Sequence, residues 1–236
     1  MAEDASHELV ETFAELSSTL FAGADVDALL DHLVERATAT IEPCDFASVS
    51  LLGPGGRIST PAATDALVVE VDQLQYNAGE GPCVEAAKMP APAVYSPDLA
   101  SDERWPTFGP MAAKRGIGSL SSYKIAANGT IGALNLYARR TAAFTEHDRE
   151  VAYLLAVFAS VVLASTLARL QAAQLQEALQ SRDVIGQAKG ILMERERVTA
   201  DDAFDMLRRS SQQLNRKLRD LAEEIAATGE EPPELR

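Results

Sequence analysis

The feature that most constrains the fold is a long run of apolar residues whose spacing alternates between three and four. Thr145 and Asp148 precede it with the spacing of a helix-capping box. Such spacing over about four heptads predicts one long helix with a continuous apolar seam. The seam positions are Val151, Leu154, Phe158, Val161, Ser165, Ala168, Ala172, Leu175 and Leu179. The 236 residues are enough for two modest domains, and this helix separates them.

The seam has two interpretations. It either packs on a sheet of its own chain or pairs with the same helix of a second subunit. The pattern continues into the polar stretch 169–180, where a monomer has no sheet left to cover, and this favours a parallel homodimer. The longest apolar run, 151–163, is too short to span a membrane, and the acidic N-terminus lacks a secretory signal. We therefore expect a cytoplasmic protein with no membrane partner.

The part before the long helix predicts an α+β domain with an antiparallel sheet. Two apolar runs, 117–127 and 130–137, flank Asn128-Gly129, which is the strongest short signal for a β-hairpin. The segment ahead of them is rich in Gly and Pro and is where a pocket would be built. The other predicted elements are helices at 9–20, 26–37 (capped by Asp25), 66–76, 82–88 and 108–115, and a strand at 46–52.

The part after residue 180 predicts three short helices. Thr199 and Asp202 have the spacing of a second capping box, and Asn215 interrupts the later apolar stripe and is a candidate cap for the third helix. A segment of about 45 residues buries little surface alone, so we expect this unit to pack against the long helix or against a partner subunit. The apolar positions are Ile185, Ala188, Leu192, Phe204, Leu207, Leu214, Leu218, Leu221 and Ile225.

The net charge of −14 belongs mainly to the first part of the chain. Residues 1–180 carry 11 Lys and Arg against 23 Asp and Glu, whereas residues 181–236 carry 10 against 12. A local basic face is therefore compatible with the acidic total, although charge alone favours an ordinary solvated bundle.

No catalytic or metal-binding set is visible. The three histidines are scattered on amphipathic helices, and no metalloprotease, hydrolase or P-loop motif is present. The two cysteines, Cys44 and Cys83, form no CxxC pair and are expected to be free thiols. A buried structural role is favoured for Cys83, and redox sensing stays open because it lies near a helix start. We expect no enzyme activity, no metal and no identifiable cofactor.

The run Ala188-Lys-Gly-Ile-Leu-Met193 is followed by Ala203-Phe204, Leu207-Arg208 and Asn215. With this pattern, residues 178–227 resemble the ANTAR family of RNA-binding antitermination modules. The resemblance implies a three-helix unit that binds paired stem-loops in nascent transcripts, and so prevents a terminator hairpin from forming. Many of the motif residues are apolar, and we expect Phe204 to pack in the core together with Ala188, Leu192, Leu207 and Leu218. The residues that carry the resemblance are Arg182, Ile185, Ala188-Lys-Gly-Ile-Leu-Met193, Ala203, Phe204, Leu207, Arg208, Ser211, Asn215, Leu218, Ala222 and Ile225. The RNA-binding residues that it implies are Lys189, Gly190, Arg208, Ser211, Gln212, Asn215, Arg216 and Lys217.

The stretch 75–86 reads Gln-Tyr-Asn-Ala-Gly-Glu-Gly-Pro-Cys-Val-Glu-Ala. With it, residues from about 8 to 155 resemble a GAF domain of the kind found ahead of ANTAR modules. The telling stretch is 75–86, followed by Asp98, 102–106, Gly116, Ser119 and 132–137. The fold implied is an antiparallel sheet with a ligand pocket, and the small-molecule effector is unknown. The candidate pocket residues are Tyr76, Cys83, Trp105 and Phe108.

The resulting prediction is a signal-responsive antitermination regulator with four segments. These are a GAF-like sensory domain (1–144), a signalling and dimerisation helix (145–180), an ANTAR domain (181–227) and a flexible tail (228–236). Two alternatives stay open. One is a DNA-binding regulator with a helix-turn-helix within 182–209, although Asp201, Asp202 and Asp205 would face phosphates badly. The other is a ligand- or redox-sensing adaptor that acts through protein contacts.

Overall fold

The structure is a computed structural model that describes residues 26–88, 93–127 and 129–230. It divides into two compact units, residues 1–168 and 169–236. The predicted helix at 9–20, its neighbour Asp25 and most of the predicted tail lie outside the described residues.

The elements of the first unit confirm the predicted α+β class. They are α1 (Val26–Thr40), β1 (Phe46–Leu52), β2 (Ile58–Ala63), α2 (Ala66–Ala78), α3 (Pro82–Lys88), β3 (Ala93–Ser96), α4 (Phe108–Lys114), β4 (Ser119–Ala127) and β5 (Thr130–Ala138). A single helix, α5 (Glu146–Glu196), follows, and α6 (Ala200–Leu214) and α7 (Leu218–Thr228) complete the described chain. The sequence boundary placed at 180 thus falls inside a continuous helix of 51 residues.

The sheet has five antiparallel strands in the order β2-β1-β5-β4-β3. The β4–β5 hairpin confirms the prediction from Asn128-Gly129, and Ala127 pairs with Thr130 across its end. The sequence did not predict β2 and β3, which are the two edge strands. Pro61 lies inside β2, and a proline is tolerated there because an edge strand need not donate every ladder hydrogen bond. The β3 strand has only four residues and offers little alternating pattern.

The two faces of the sheet bury different helices, because successive strand residues point to opposite sides. On β5, Leu134 and Leu136 belong to a core shared with α1 and α5. Their neighbours Ala133 and Tyr137 belong to the core formed with α2, α3 and α4. Each face of the central strand is therefore covered, and β5 contains a nearly continuous apolar run.

The capping box that opens α5 is present. The Thr145 amide donates to Asp148 Oδ2 at 2.8 Å, and the Asp148 amide donates back to Thr145 Oγ1 at 3.2 Å. The positions of α5 that face the sheet are Ala152, Leu155, Ala156, Ala159, Val162 and Leu163. They are offset from the predicted seam, where the side chains of Leu154 and Val161 stay 46% and 62% exposed.

This helix also contains a stretch of 18 residues with a mean hydropathy of 2.2, which by length and composition alone would suit a membrane span. Within the first unit, part of that apolar surface is used by the sheet, and 44% of the stretch is buried. The apolar character of α5 therefore has a structural use that does not involve a membrane.

The second unit is the predicted three-helix bundle, made from the end of α5 with α6 and α7. Its core is Ala188, Leu192, Ala203, Leu207, Leu221, Ala222 and Ile225. The capping box of Thr199 and Asp202 is confirmed.

Two predictions for the second unit were wrong. Phe204 is 40% exposed, since the inward direction of α6 is taken by Ala203 and Leu207. Asn215 ends α6 in a left-handed conformation (φ 49°), and Lys217 begins α7 instead.

The pairing of β1 with β5 requires a glycine at position 132. A Cβ there would lie 2.3 Å from the carbonyl oxygen of Ser50. We expect Gly132→Ala to lower the stability of the first unit by about 1–3 kcal/mol or more, because the strands must separate. Thermal unfolding followed by circular dichroism checks this. The matched control is Gly190→Ala, where an added Cβ meets nothing within 4 Å and helix propensity should stabilise the second unit. Equal effects of the two substitutions would contradict the assigned strand register.

Candidate functional site

A buried carboxylate lies between α2 and the sheet. Asp72 is fully buried and accepts hydrogen bonds from Ser48 Oγ at 2.7 Å, from Thr60 Oγ1 at 3.0 Å and from Gln75 Nε2 at 3.2 Å. The hydroxyl of Tyr137 donates to Asp72 Oδ1, the oxygen that also accepts from Gln75, while Ser48 and Thr60 donate to Oδ2. Donors from three strands and from its own helix thus converge on one acceptor, which is how a buried carboxylate is tolerated.

The network extends along the sheet through Asn135. Its Nδ2 donates to Ser48 Oγ at 3.1 Å and to Ser50 Oγ at 2.9 Å. The Tyr76 hydroxyl is 2.7 Å from Ser50 Oγ and 2.8 Å from Thr60 Oγ1. The Oδ1 atom of Asn135 is buried and has no hydrogen-bond partner among the described residues. The face of the sheet under α2 is therefore polar where a purely structural core would be apolar.

Burial raises the pKa of Asp72 from 3.8 to about 6, and the hydrogen bonds from Tyr137, Ser48, Thr60 and Gln75 oppose that rise. Desolvation penalises the charged form more than the donors stabilise it. The same carboxylate contributes to the raised pKa of Tyr76 and Tyr137, which burial raises first. Both phenols are therefore neutral donors over the physiological range of pH.

A cavity of about 490 Å³ opens beside this network, between the β1–β2 turn, α2 and α3. Tyr76 lies in its wall, so one side chain belongs to both the cavity and the network. Arg57 and Lys88 also line it, and neither forms an ion pair among the described residues. The remaining lining residues are Leu52, Gly56, Ile58, Gln73, Asn77, Gly79, Val84 and Ala87. The wall combines apolar surface with two cations, as a site for a small anionic molecule requires.

The other three pocket candidates from the sequence are buried in the core on the same side of the sheet. Cys83, Trp105 and Phe108 all belong to the cluster formed with α2, α3 and α4. Trp105 is covered by the guanidinium of Arg104, which lies 4.2 Å from the ring centroid. The structure thus brings Tyr76 to the cavity and places the others in the packing behind it.

The stretch 75–86, on which the GAF resemblance depends, ties three helices together. Gln75 Oε1 accepts from the Cys83 amide at 2.9 Å, which joins α2 to α3. Gly81 has φ +123°, and a Cβ there would lie 2.5 Å from the Gln75 side chain. Glu80 Oε1 accepts from the amides of Thr107 at 2.6 Å and Phe108 at 2.7 Å, at the start of α4. These residues hold the wall of the cavity in place and do not face its interior.

Both cysteines are free, as expected. Burial raises the pKa of Cys44 and of Cys83 to about 12, so both are protonated thiols at neutral pH. A reactive cysteine needs an accessible thiolate. In the part of the chain that the structure describes, no three His, Cys, Asp or Glu side chains are grouped so that they could hold a metal ion.

The basic residues of the second unit differ in how they are paired. Arg208 Nη2 lies 3.0 Å from Asp205 Oδ1, and Arg216 Nη1 lies 2.7 Å from Glu224 Oε2. Lys189 and Lys217 form no ion pair among the described residues. Gly190 and Gln212 are exposed. The two lysines are therefore the predicted RNA contacts whose charge is available without breaking an existing pair.

Some of the predicted RNA-binding residues of α6 form contacts within the second unit. The Ser211 hydroxyl donates to the Arg216 carbonyl at 2.6 Å, across the turn that ends the helix. The left-handed Asn215 forms that turn. The Ser211 hydroxyl and the Asn215 backbone therefore first close the α6–α7 turn, and this places Arg216 and Lys217 directly ahead of the first residue of α7.

The sequence interpretation missed Asp72, Ser48, Thr60 and Asn135. One signal was available, because Asp72 shares the inward helical face of Val68, Val71 and Gln75. A lone acid on an apolar stripe indicates either a packing defect or a buried network. The strand partners carried no signal of their own, since single Ser and Thr residues are common in strands.

These features define a class of protein. A five-stranded α+β domain with a cavity beside a polar network is followed, along one continuous helix, by a small helical bundle with basic residues. Enzymes are not the only proteins with such a cavity, since sensory domains also build one. The bundle has too little core to be the main folded body of the chain.

Comparison of the sequence with models of known protein families shows which family the chain belongs to. The GAF domain family matches residues 23–164, and the ANTAR domain matches residues 173–225. The chain belongs to the GAF domain family and carries an ANTAR domain after it. It is a regulator that combines a sensory domain with a module of the RNA-binding antitermination type. No curated protein matches the chain.

Solved structures of low identity share the fold. The GAF domain of a phosphoenolpyruvate-protein phosphotransferase from Coxiella burnetii is 16% identical, with a TM-score of 0.54, over 72% of this chain and 98% of that one. Its counterpart from Acinetobacter is 16% identical, with a TM-score of 0.52, over 67% and 94%. A free methionine-R-sulfoxide reductase from Neisseria meningitidis, in complex with its substrate, is 15% identical, with a TM-score of 0.54, over 68% and 91%. At such identities the likeness establishes the fold alone.

The buried carboxylate predicts an unusual dependence of stability on pH. Between pH 4 and 6 the unfolded chain has lost the Asp72 proton while the folded protein retains it, so rising pH destabilises the fold. We expect the wild type to gain on the order of 3 kcal/mol over Asp72→Asn as the pH falls from 7 to 4. Urea unfolding at each pH measures the difference. Val69→Thr on the exposed side of α2 is the control, because it removes no ionisable group and its difference from the wild type should stay constant over this range of pH. A constant difference between wild type and Asp72→Asn would contradict a raised pKa.

Proposed function

We propose that this protein binds stem-loops in nascent transcripts and prevents terminator hairpins from forming, in response to a signal received by its GAF domain. The observation that carries the proposal is the ANTAR match over residues 173–225, together with the unpaired lysines of that unit. RNA binding depends strongly on phosphate contacts, and an unpaired lysine supplies one without the loss of an existing ion pair.

Physically, the fold suits RNA loops better than a regular duplex. Lys189 on α5 and Lys217 at the start of α7 are positioned by separate helices, so the cations are spread over a surface and do not follow one helix face. Loops expose unstacked bases together with phosphates, which a dispersed set of cations and amides can contact. A bound loop would hold the transcript in a structure that excludes the competing terminator.

Duplex DNA is the second candidate ligand, and α6 argues against it. The first turn of α6 carries Asp201 and Asp202, whose carboxylate forms the capping box with Thr199. Asp205 follows one turn later. A recognition helix presents its first turns to the major groove, where these acids would meet phosphates. Competition between an RNA stem-loop and duplex DNA of the same sequence distinguishes the two.

For the first unit we propose binding of a small effector without catalysis. The cavity lined by Tyr76, Arg57 and Lys88 supports binding of an anionic molecule. Cys44 and Cys83 are both buried and protonated, which argues against thiol chemistry in this unit. We place the activity in the cytoplasm, where nascent transcripts are found.

We also propose that the protein is a homodimer that pairs through the seam of α5. Leu154, Val161, Leu175 and Leu179 are all about half exposed or more, at spacings that keep them on one helix face. A soluble monomer would leave these four apolar side chains in water, whereas Val151 and Phe158 of the same seam already pack on the first unit. A second copy of α5 in parallel would bury those four side chains against identical residues.

The RNA proposal predicts different effects for two basic residues. Lys189→Ala should weaken binding of a tandem stem-loop RNA several-fold and lower the slope of log affinity against log salt by about 0.7–0.9. Arg208→Ala should have a smaller effect, because that guanidinium is already paired with Asp205. Fluorescence anisotropy at several salt concentrations measures both.

Helical content by circular dichroism should stay unchanged in each variant. Lys114→Ala in the GAF domain is the control and should leave the affinity and the salt slope as they are. A wild-type protein that binds structured RNA no better than unrelated RNA, with or without small anionic metabolites, would refute the proposed function.

The dimer proposal predicts that a charge in the seam separates the subunits. Leu175→Glu should shift the protein from dimer to monomer in analytical ultracentrifugation, because two carboxylates would face each other across the helix pair. Gln174→Glu adds the same charge one residue away, outside the seam, and should leave the dimer intact. A wild-type monomer at micromolar concentration would refute the pairing.

A further inference from the structure

The second unit has an open groove between α5 and α6. Its volume is about 540 Å³, and its walls include Arg182, Ile185, Gly186 and Lys189 from α5 and Phe204 from α6. All of these residues lie within one compact unit. The groove is separate from the core of the bundle, which uses Ala188, Leu192 and the inward face of α6.

The groove leaves an aromatic ring without a full set of contacts. Phe204 is 40% exposed, whereas Ala203 and Leu207 on the same helix are fully buried. A partly exposed aromatic residue is common by itself, but here the ring also forms the α6 wall of the groove. An aromatic ring accessible from one side is the surface on which unpaired nucleobases stack.

A glycine in the wall gives independent support. Gly186 lies in the interior of α5, where glycine costs about 1 kcal/mol relative to alanine. No neighbouring atom within the protein requires a glycine there, because an added Cβ would have no other atom within 4 Å. A glycine at this position keeps the wall flat and allows another molecule to approach the backbone closely.

The charges of the groove fix the orientation of an occupant. Arg182 and Lys189 are seven residues apart, so they lie on the same face of α5, and neither pairs with a carboxylate among the described residues. On α6, by contrast, the residue that lines the groove is the uncharged Phe204. Phosphate is therefore attracted to the α5 side, and the uncharged base belongs on the α6 side.

We infer that this groove holds one unpaired base of an RNA loop, stacked on Phe204, with its phosphate between Arg182 and Lys189. The inference rests on the proposed RNA binding and adds to it a specific contact for a base. Base stacking on an aromatic side chain contributes about 5- to 100-fold in affinity.

The test uses the full-length protein and a tandem stem-loop RNA with 2-aminopurine at one loop position at a time. We expect wild-type protein to quench the fluorescence at one position. Phe204→Leu should abolish that quenching and weaken binding about 5- to 100-fold, whereas Phe204→Tyr should preserve both. Met193→Leu is the control, because Met193 is another exposed apolar residue of this unit that does not line the groove.

A second variant separates binding from folding. Gly186→Ala should raise the melting temperature of the second unit, since alanine is the better helix former, and yet weaken RNA binding. Gln187→Ala, exposed and outside the groove, should change the affinity little. Higher stability together with lower affinity cannot result from misfolding.

The outcomes are distinguishable. If the wild type binds the RNA and Phe204→Leu binds equally well, the groove holds no base although the proposed function stands. If Phe204→Leu changes the oligomeric state and leaves the affinity unchanged, the ring contacts a second copy of the chain and the inference is overturned. If the wild type binds no structured RNA, the proposed function fails and the inference fails with it.

Discussion

Both units depend on the burial of one face of α5. In the first unit, Ala152, Leu155 and Leu163 close the core over the sheet, and in the second, Ala188 and Leu192 form the centre of the bundle. The small side chains at many of these positions let the sheet and the short helices approach the helix backbone closely. The bundle has too few residues to bury a core by itself, so it exists because α5 continues into it.

The face of the sheet under α2 carries a polar network, whereas the face that packs against α5 is apolar. A carboxylate, an amide and several hydroxyls occupy positions where apolar side chains would pack with a smaller desolvation penalty. That penalty is visible in Asp72, whose pKa is raised by burial. Such a network specifies one arrangement of its donors and is sensitive to anything that moves one of them. Tyr76 belongs to both the network and the cavity wall, so a molecule in the cavity that displaced its hydroxyl would leave Ser50 and Thr60 short of a partner.

The features that could be predicted from the sequence are those set by residues close together along the chain. The β4–β5 hairpin, the capping boxes of Thr145 and Thr199 and the helices of the first unit were predictable, because a few adjacent residues determine them. The edge strands were missed because pairing with a neighbour, and not their own residues, makes them strands. Asp72 was missed because its partners come from β1, β2 and β5, far apart in sequence. Phe204 was misplaced because an apolar residue at helical spacing looks the same in a core and beside a groove.

The second unit departs from packing rules at a few places that lie close together. It exposes Phe204, keeps a helix-destabilising glycine at 186, and has no carboxylate paired with Arg182 or Lys189 among the residues that the structure describes. Each departure alone has a bland explanation, since exposed apolar residues and unpaired surface cations are common. All of them line one groove, however, and each would be satisfied by the same kind of ligand, which has a flat apolar face and an attached negative charge. A nucleotide has both, and this shared requirement is why the departures are better explained together than one by one.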